Sequence, residues 1–200
     1  MALTYHNNNS ISNVTSFPQV PIGSPVLLST ATASASASIE FTSGIDSTYD
    51  VYKFEFINIH PSVNEAYLGI NFSTDNGSNY NVTKTTTFFY ATHNEADTEV
   101  GLDYLDGNDL AQSTAYQDLA RVVGNDNDQS ASGTLQLFNP SSSTYVKHFM
   151  TDFNSYHYTN WSNRWFCAGY GNTTSPINAI NFKFSSGNID DGIIKMYGVK

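Results

Sequence analysis

Charge is scarce in this chain. Only 13% of its 200 residues are Asp, Glu, Lys or Arg, about half the share usual in a globular domain. Positive charge is scarcer still, with eight Lys and Arg against 18 Asp and Glu and a formal net charge of -10. The eight basic residues are scattered, and none form a cluster that could neutralise a phosphate backbone. That argues against nucleic acid as a partner. The same sign argues against an anionic membrane surface. No apolar run reaches the length of a membrane span, so no membrane insertion is expected. The opening residues, MALTYHNNNS, have neither the charged start nor the apolar stretch of a signal peptide. The expectation is synthesis and folding in a cytosol.

Cysteine is almost absent. A single Cys167 cannot form an intrachain disulfide, and its setting in Trp165-Phe166-Cys167-Ala168 reads as a small buried core residue. Seven N-x-[ST] sequons occur, at Asn8, Asn13, Asn71, Asn76, Asn81, Asn160 and Asn172. Without a signal peptide they read as unmodified.

Catalytic signatures are missing as well. There is no G-x-S-x-G elbow and no Cys-His pattern. The five histidines, His6, His60, His93, His148 and His157, are isolated, which argues against a zinc site. Acidic residues Glu95, Glu99, Asp103, Asp106 and Asp109 fall in one stretch that reads as a solvated loop. Paired carboxylates there could in principle hydrolyse glycosides. Asp103-x-x-Asp106-x-x-Asp109 and Asp126-x-Asp128 offer oxygens suited to calcium, but neither fits the EF-hand pattern. No catalytic residue, metal ligand or cofactor is assigned.

What the chain does have is aromatic and short polar residues. Aromatics make up 14%, with 13 Tyr and 13 Phe. Asn, Ser and Thr supply most of the polarity. This is the mix of many short strands joined by polar turns. The predicted fold is all-β: a jelly-roll-like antiparallel β-sandwich of about ten strands over residues 26–200. Residues 1–25, with Pro18, Pro21 and Pro25 and no periodic apolar face, read as an extended N-terminal arm.

The clearest strand is Tyr49 to Ile59, where Tyr52, Phe54 and Phe56 share one face and Val51, Lys53, Glu55, Ile57 and Ile59 the other. His60-Pro61 ends it. Alternation from Ala31 to Ser38 reads as a strand running into Ile39-Glu40-Phe41. Tyr67 to Ser73 and Tyr80 to Tyr90 read as a hairpin around Asn76-Gly77. Residues 93–114 read as loop. Tyr116 to Val123 reads as a strand pairing with Gly133 to Phe138, with a short helix over 110–118 as the alternative. Thr144 to Phe153 and Arg164 to Tyr170 follow. Ile177 to Phe184 and Ile193 to Val199 read as a terminal hairpin around Ser185-Ser186-Gly187-Asn188, tying the last residues into a sheet.

The patch Tyr156-His157-Tyr158-Thr159-Asn160-Trp161, followed by Trp165, is the candidate ligand-binding or interface site. Aromatic rings stack on apolar sugar faces while Asn and His supply hydrogen bonds. The same residues also make good protein interfaces, because Tyr and Trp bury area at low entropy cost. Ordinary packing, a subunit interface and a glycan site are the three readings.

Several segments resemble a family of small virion structural proteins known mainly from marine tailed bacteriophages. They are Phe41-Thr42-Ser43-Gly44-Ile45-Asp46-Ser47-Thr48-Tyr49, Tyr52-Lys53-Phe54-Glu55-Phe56, Leu137-Phe138-Asn139-Pro140-Ser141-Ser142, Val146-Lys147-His148-Phe149, Ala168-Gly169-Tyr170-Gly171-Asn172-Thr173-Thr174, and Gly192 to Lys200. Together they span most of residues 38–200. The resemblance implies a non-enzymatic virion component, on the capsid, tail or fibre, made in the host cytoplasm. Its partners would be other virion proteins and copies of itself; host-surface glycan, a further candidate partner, comes from the aromatic patch and not from the resemblance. No site residues transfer from it. With the C-terminal strand locked in a sheet, the N-terminal arm is the expected attaching segment.

Overall fold

The computed structural model describes residues 24–200. The expected arm therefore lies outside the described residues up to residue 23. The all-β expectation holds for the rest: among the described residues there is no helix. The same residues form twelve strands rather than about ten. They are β1 (Val26–Thr32), β2 (Ile39–Phe41), β3 (Val51–Pro61), β4 (Ala66–Ser73), β5 (Lys84–Asn94) and β6 (Val100–Tyr104) in the first half. The second half holds β7 (Gln117–Val123), β8 (Ala131–Phe138), β9 (Lys147–His157), β10 (Trp161–Gly171), β11 (Ala179–Phe184) and β12 (Ile189–Val199).

All pairings are antiparallel. A long ladder runs β1-β12-β3-β8-β9-β10-β5-β6, and a short one runs β7-β4-β11-β2. One pair, Val123 opposite His157, joins them, so the whole sheet curls on itself towards closure. The curl brings the two inner faces together. Phe41 on β2 meets Phe54 on β3 edge to face at 5.4 Å. Phe182 on β11 packs at 4.9 Å on Phe56, which in turn lies 4.8 Å from Phe153 on β9. Phe72 on β4 meets Phe149 at 5.2 Å. Each fully buried Phe contributes roughly 2–3 kcal/mol through the area it removes from water.

The alternation of β3 explains its placement. Tyr52, Phe54 and Phe56 are buried and face this core, while Val51, Lys53 and Glu55 are half-exposed on the outside and Ile57 is exposed there. Ile59, expected on that outer face, is instead fully buried, because a register shift after Phe56 with Asn58 at φ 51° breaks the alternation. Gly133 on β8 sits opposite both Phe56 and Phe153. A Cβ there would lie 2.5 Å from the Phe153 ring, so the close Phe56–Phe153 contact depends on its absence. Strand β4 is buried on both faces. Leu68, Ile70 and Phe72 enter the core, while Asn71 and Ser73 lie under the chain on the other side.

Three expected hairpins are not hairpins. Asn76 and Gly77 do have positive φ, 60° and 87°. The strands beside them nevertheless part company: β4 lies between β7 and β11, and β5 between β6 and β10. Likewise β7 does not pair with β8. The terminal pair separates too, with β11 between β4 and β2 and β12 between β1 and β3. Turn chemistry reports that a chain reverses; it does not report which ladder the next strand joins. Each of these turns carries the chain from one ladder to the other. The C-terminal strand is still held on both sides, as expected.

Other boundaries also move. The strand expected over 31–38 begins earlier, at Val26, and stops at Thr32, leaving a link pinned by the bridge of Ser36 to Ile189. The stretch expected as loop contains the end of β5 and all of β6. Residues 110–118 form no helix. Residues 110–113 run beside β5, with Lys84 and Ser113 exchanging backbone hydrogen bonds, and Gln117 and Asp118 open β7 against β4.

Candidate functional site

Strands β9 and β10 form a true hairpin, and the candidate patch is its tip. Trp161 lies opposite His157. Between them Tyr158, Thr159 and Asn160 make the turn, with Asn160 at φ 67°, a left-handed conformation that asparagine accepts more readily than most residues. The Asn160 N–H donates to the His157 carbonyl at 2.9 Å and closes the turn. The tip is anchored from both sides. Tyr158 N–H donates to the Val122 carbonyl at 3.2 Å, and Glu95 N–H donates to the Asn160 carbonyl at 3.0 Å.

The six candidate residues are together in space but do not share one surface. Strand alternation sends Tyr156 to the outer face and His157 to the inner. His157 stacks on Tyr158 at 4.6 Å, and its Nδ1 accepts the Thr159 N–H at 3.0 Å. Burial holds the His157 imidazole below its ordinary pKa, with Glu65 opposing. It is therefore neutral at pH 7, which suits its accepting role. The Tyr158 phenol is pushed up by its hydrogen bond to Glu65, and that of Tyr156 by one to Glu95.

Trp165 departs most from the expected role. It is only 3% exposed. Its ring is stacked between Phe88, at 5.6 Å, and Tyr90, at 5.0 Å, and its indole N–H donates to Ser155 Oγ at 2.8 Å. It is a core residue that ties β10 to β5 and supports the site from below.

Trp161 is half-buried and forms a wall shared by two grooves. The outer groove, about 360 Å³, runs between Trp161 and Tyr156 on one side and His93, Glu95 and Asp97 on the other. The inner groove, about 330 Å³, is floored by Tyr90, Asn163 and Trp165 and walled by Trp161, His157 and Arg121. Ring faces beside amide and hydroxyl groups are the chemistry of sugar recognition, and also of a wet protein contact.

Arg121 and its neighbour Val122 were not legible as site residues. They come from a bulge in β7, where the pair opposes the single residue Tyr67 of β4. Val122 has φ 50°, a strained conformation for a β-branched side chain. The bulge throws Arg121 over the Tyr67 ring, its guanidinium carbon 4.4 Å from the centroid. Arg121 Nε lies 3.3 Å from Asp118, and its Nη1 donates to Asn108 at 2.6 Å. Burial pushes Asp118 up to about 6, against the pull of Arg121 and the hydrogen bond from Asn108.

The acidic runs gather nothing comparable. Among the described residues, no three His, Cys, Asp or Glu side chains are grouped as a metal site would need. His93 Nε2 lies 3.0 Å from Asp97, an exposed pair. Cys167 is buried as expected, and burial pushes its thiol well up, which makes it a poor nucleophile. No family model, curated protein or solved structure matches this chain.

Proposed function

We propose that this chain is a non-enzymatic structural component of a bacteriophage particle, assembling with copies of itself and with other virion proteins. In this reading the fold is a jelly-roll sandwich with two inserted hairpins. The observation that carries it is the strand order. The run β1-β12-β3-β8 faces the run β2-β11-β4-β7. That is the order of eight strands wound as two Greek keys, the arrangement of viral capsid and lectin domains. The insertions are then β5–β6, between β4 and β7, and β9–β10, between β8 and β11. The segments that resemble phage virion proteins lie mainly on the eight strands and their turns. Residues 1–25 serve as the attaching arm, entering the fold at β1. Fold alone does not decide function, so the test is direct. Mass spectrometry of purified particles should find this polypeptide at a fixed stoichiometry. Particles that are complete without it would end the proposal.

The grooves at Trp161 favour a second reading, in which the hairpin tip binds host-surface glycan. Trp161 is the one aromatic that both grooves share. A glycan array should then give binding that Trp161→Ala removes while the variant remains folded at the assay temperature. No binding to any glycan on the array would leave the tip as a protein contact.

A further inference from the structure

The long ladder has two open edges, β1 and β6, each paired on one side only among the described residues. Edge strands are normally blunted by charge or proline, because their free N–H and C=O groups can capture another strand. These two carry no such protection on their outer face. Of nine large hydrophobic residues that are exposed among the described residues, five lie on these two short strands. They are Val26 and Leu27 on β1, and Val100, Leu102 and Tyr104 on β6. Val100 is 78% exposed and Leu102 72%.

Pairing register places four of these side chains, Leu27, Val100, Leu102 and Tyr104, on one face; Val26, opposite the buried Gly198, lies on the other. A single cross-strand row runs Tyr104, Phe89, Phe166, Asp152, Thr134, Glu55, Lys195 and Thr30 across all eight strands. In the same way Leu27 lies beside Tyr197 on the outer face. A further strand added at either edge would continue this face without a break.

Charge then selects the partner. Between Glu95 and Asp109 there are six carboxylates and no Lys or Arg. Two β6 edges meeting each other would bring both sets together, which like-charge repulsion opposes. Strand β1 carries no charge of its own. The outer face behind it holds Lys195, opposite Thr30, and Lys53, opposite Tyr197; Glu55 pairs with Lys53 at 2.9 Å, which leaves Lys195 as the surplus positive charge. We propose that copies of this chain join edge to edge, with β6 of one copy pairing against β1 of the next. Such a contact is heterologous, so it propagates into a ring or a filament rather than stopping at a two-fold dimer. It rests on the reading of the chain as an assembly component, and it supplies a contact for that reading within the described residues.

The test uses the full chain. Sedimentation from low to high micromolar should show association beyond the dimer that weakens as salt rises. Leu102→Asp should weaken it roughly tenfold or more. Because Leu102 is mostly exposed, that variant should melt with the wild type. Because Cys167 is buried, a cysteine placed at either edge is the accessible thiol. Mixing Thr30→Cys with Leu102→Cys and adding a short bismaleimide should give 30-to-102 links, and the double variant should give a ladder of products. A monomer at every concentration, or links only from 102 to 102, would overturn the proposal. A monomeric chain that is still present in purified particles would overturn this contact and leave the particle assignment standing. Products linked 30 to 102 from a chain absent from particles would do the reverse.

Discussion

Replacing Lys84 with methionine should remove a rise in stability that the native chain shows as pH climbs from about 7 to 9.5. Lys84 opens β5 with no exposed surface. Its ammonium donates to Asn71 Oδ1 at 2.6 Å and to the Val82 carbonyl at 2.8 Å, with no carboxylate among its hydrogen-bond partners. Burial lowers its pKa from 10.5 to about 8. Between those two values the unfolded chain binds the proton and the folded chain does not, so stability increases with pH through the window. The gap of about 2.5 pH units corresponds to roughly 3 kcal/mol in all, of which about 2 kcal/mol is regained between pH 7 and 9.5. Methionine has similar length and no charge to desolvate. It leaves the Val82 carbonyl short of a donor, at about 1–2 kcal/mol, while Asn71 Oδ1 keeps the Phe72 N–H at 2.9 Å. The variant should therefore match or exceed the native chain at pH 7 and fall behind it by pH 9.5. Urea melts followed by tryptophan fluorescence at a series of pH values give both curves. Tyrosine titration above pH 9 affects both proteins alike and cancels in the difference. If the difference between native chain and variant stays flat across the window, Lys84 is charged in the fold and the reasoning fails.

Three further outcomes follow from packing. Trp165→Ala should cost about 3–5 kcal/mol, because it empties the space between Phe88 and Tyr90 and strands Ser155; Trp165→Phe should recover most of that in the same urea melts. Gly133→Ala should cost about 1–3 kcal/mol, since the new methyl must displace the Phe153 ring, and thermal melting should fall by several degrees. Cys167 should resist a thiol reagent in the native protein and react at once in urea; fast native labelling would show that β10 opens on its own.

Strand faces were legible where one side is core and the other solvent. The period of two in Tyr52, Phe54 and Phe56 shows which way β3 faces before any partner is known. The aromatic tip was legible too, because Tyr156 to Trp161 is contiguous and holds, at Asn160, an asparagine that suits a turn. The grooves around it were not. Tyr90, His93 and Arg121 reach Trp161 through pairings between strands far apart in the chain, and a single sequence carries no record of register between distant segments. The bulge at Arg121 and Val122 is hidden for a related reason: Leu119, Arg121 and Val123 alternate as a regular strand would. Partner choice was lost at each polar turn, where a crossover between ladders uses the same Asn, Gly and Ser as a hairpin. Val100, Leu102 and Tyr104 passed for loop because the acids around them hide a short strand whose apolar face is turned to water.

The division of labour in the chain follows from where the insertions go. Hairpins β5–β6 and β9–β10 arise at different places in the sequence, yet β5 and β10 pair over eleven residues, from Trp161 opposite Asn94 to Gly171 opposite Lys84. Neither hairpin has a sufficient apolar face to be stable alone. Joined, they widen the long ladder by four strands, which meet the short one through Phe149 on Phe72 and Lys84 on Asn71, and Trp165, held between Phe88 and Tyr90, is the residue that fastens them. The shared wall of both grooves, the acidic stretch and one open edge all lie on this extension. Most of the aromatic contacts that close the core lie on the other eight strands. Exposed residues of the extension can therefore change without unfolding the protein, which is what a surface that must match a partner requires. Truncation of Trp165 is not tolerated in the same way, because its ring and indole N–H hold β10 to β5 and β9 at once.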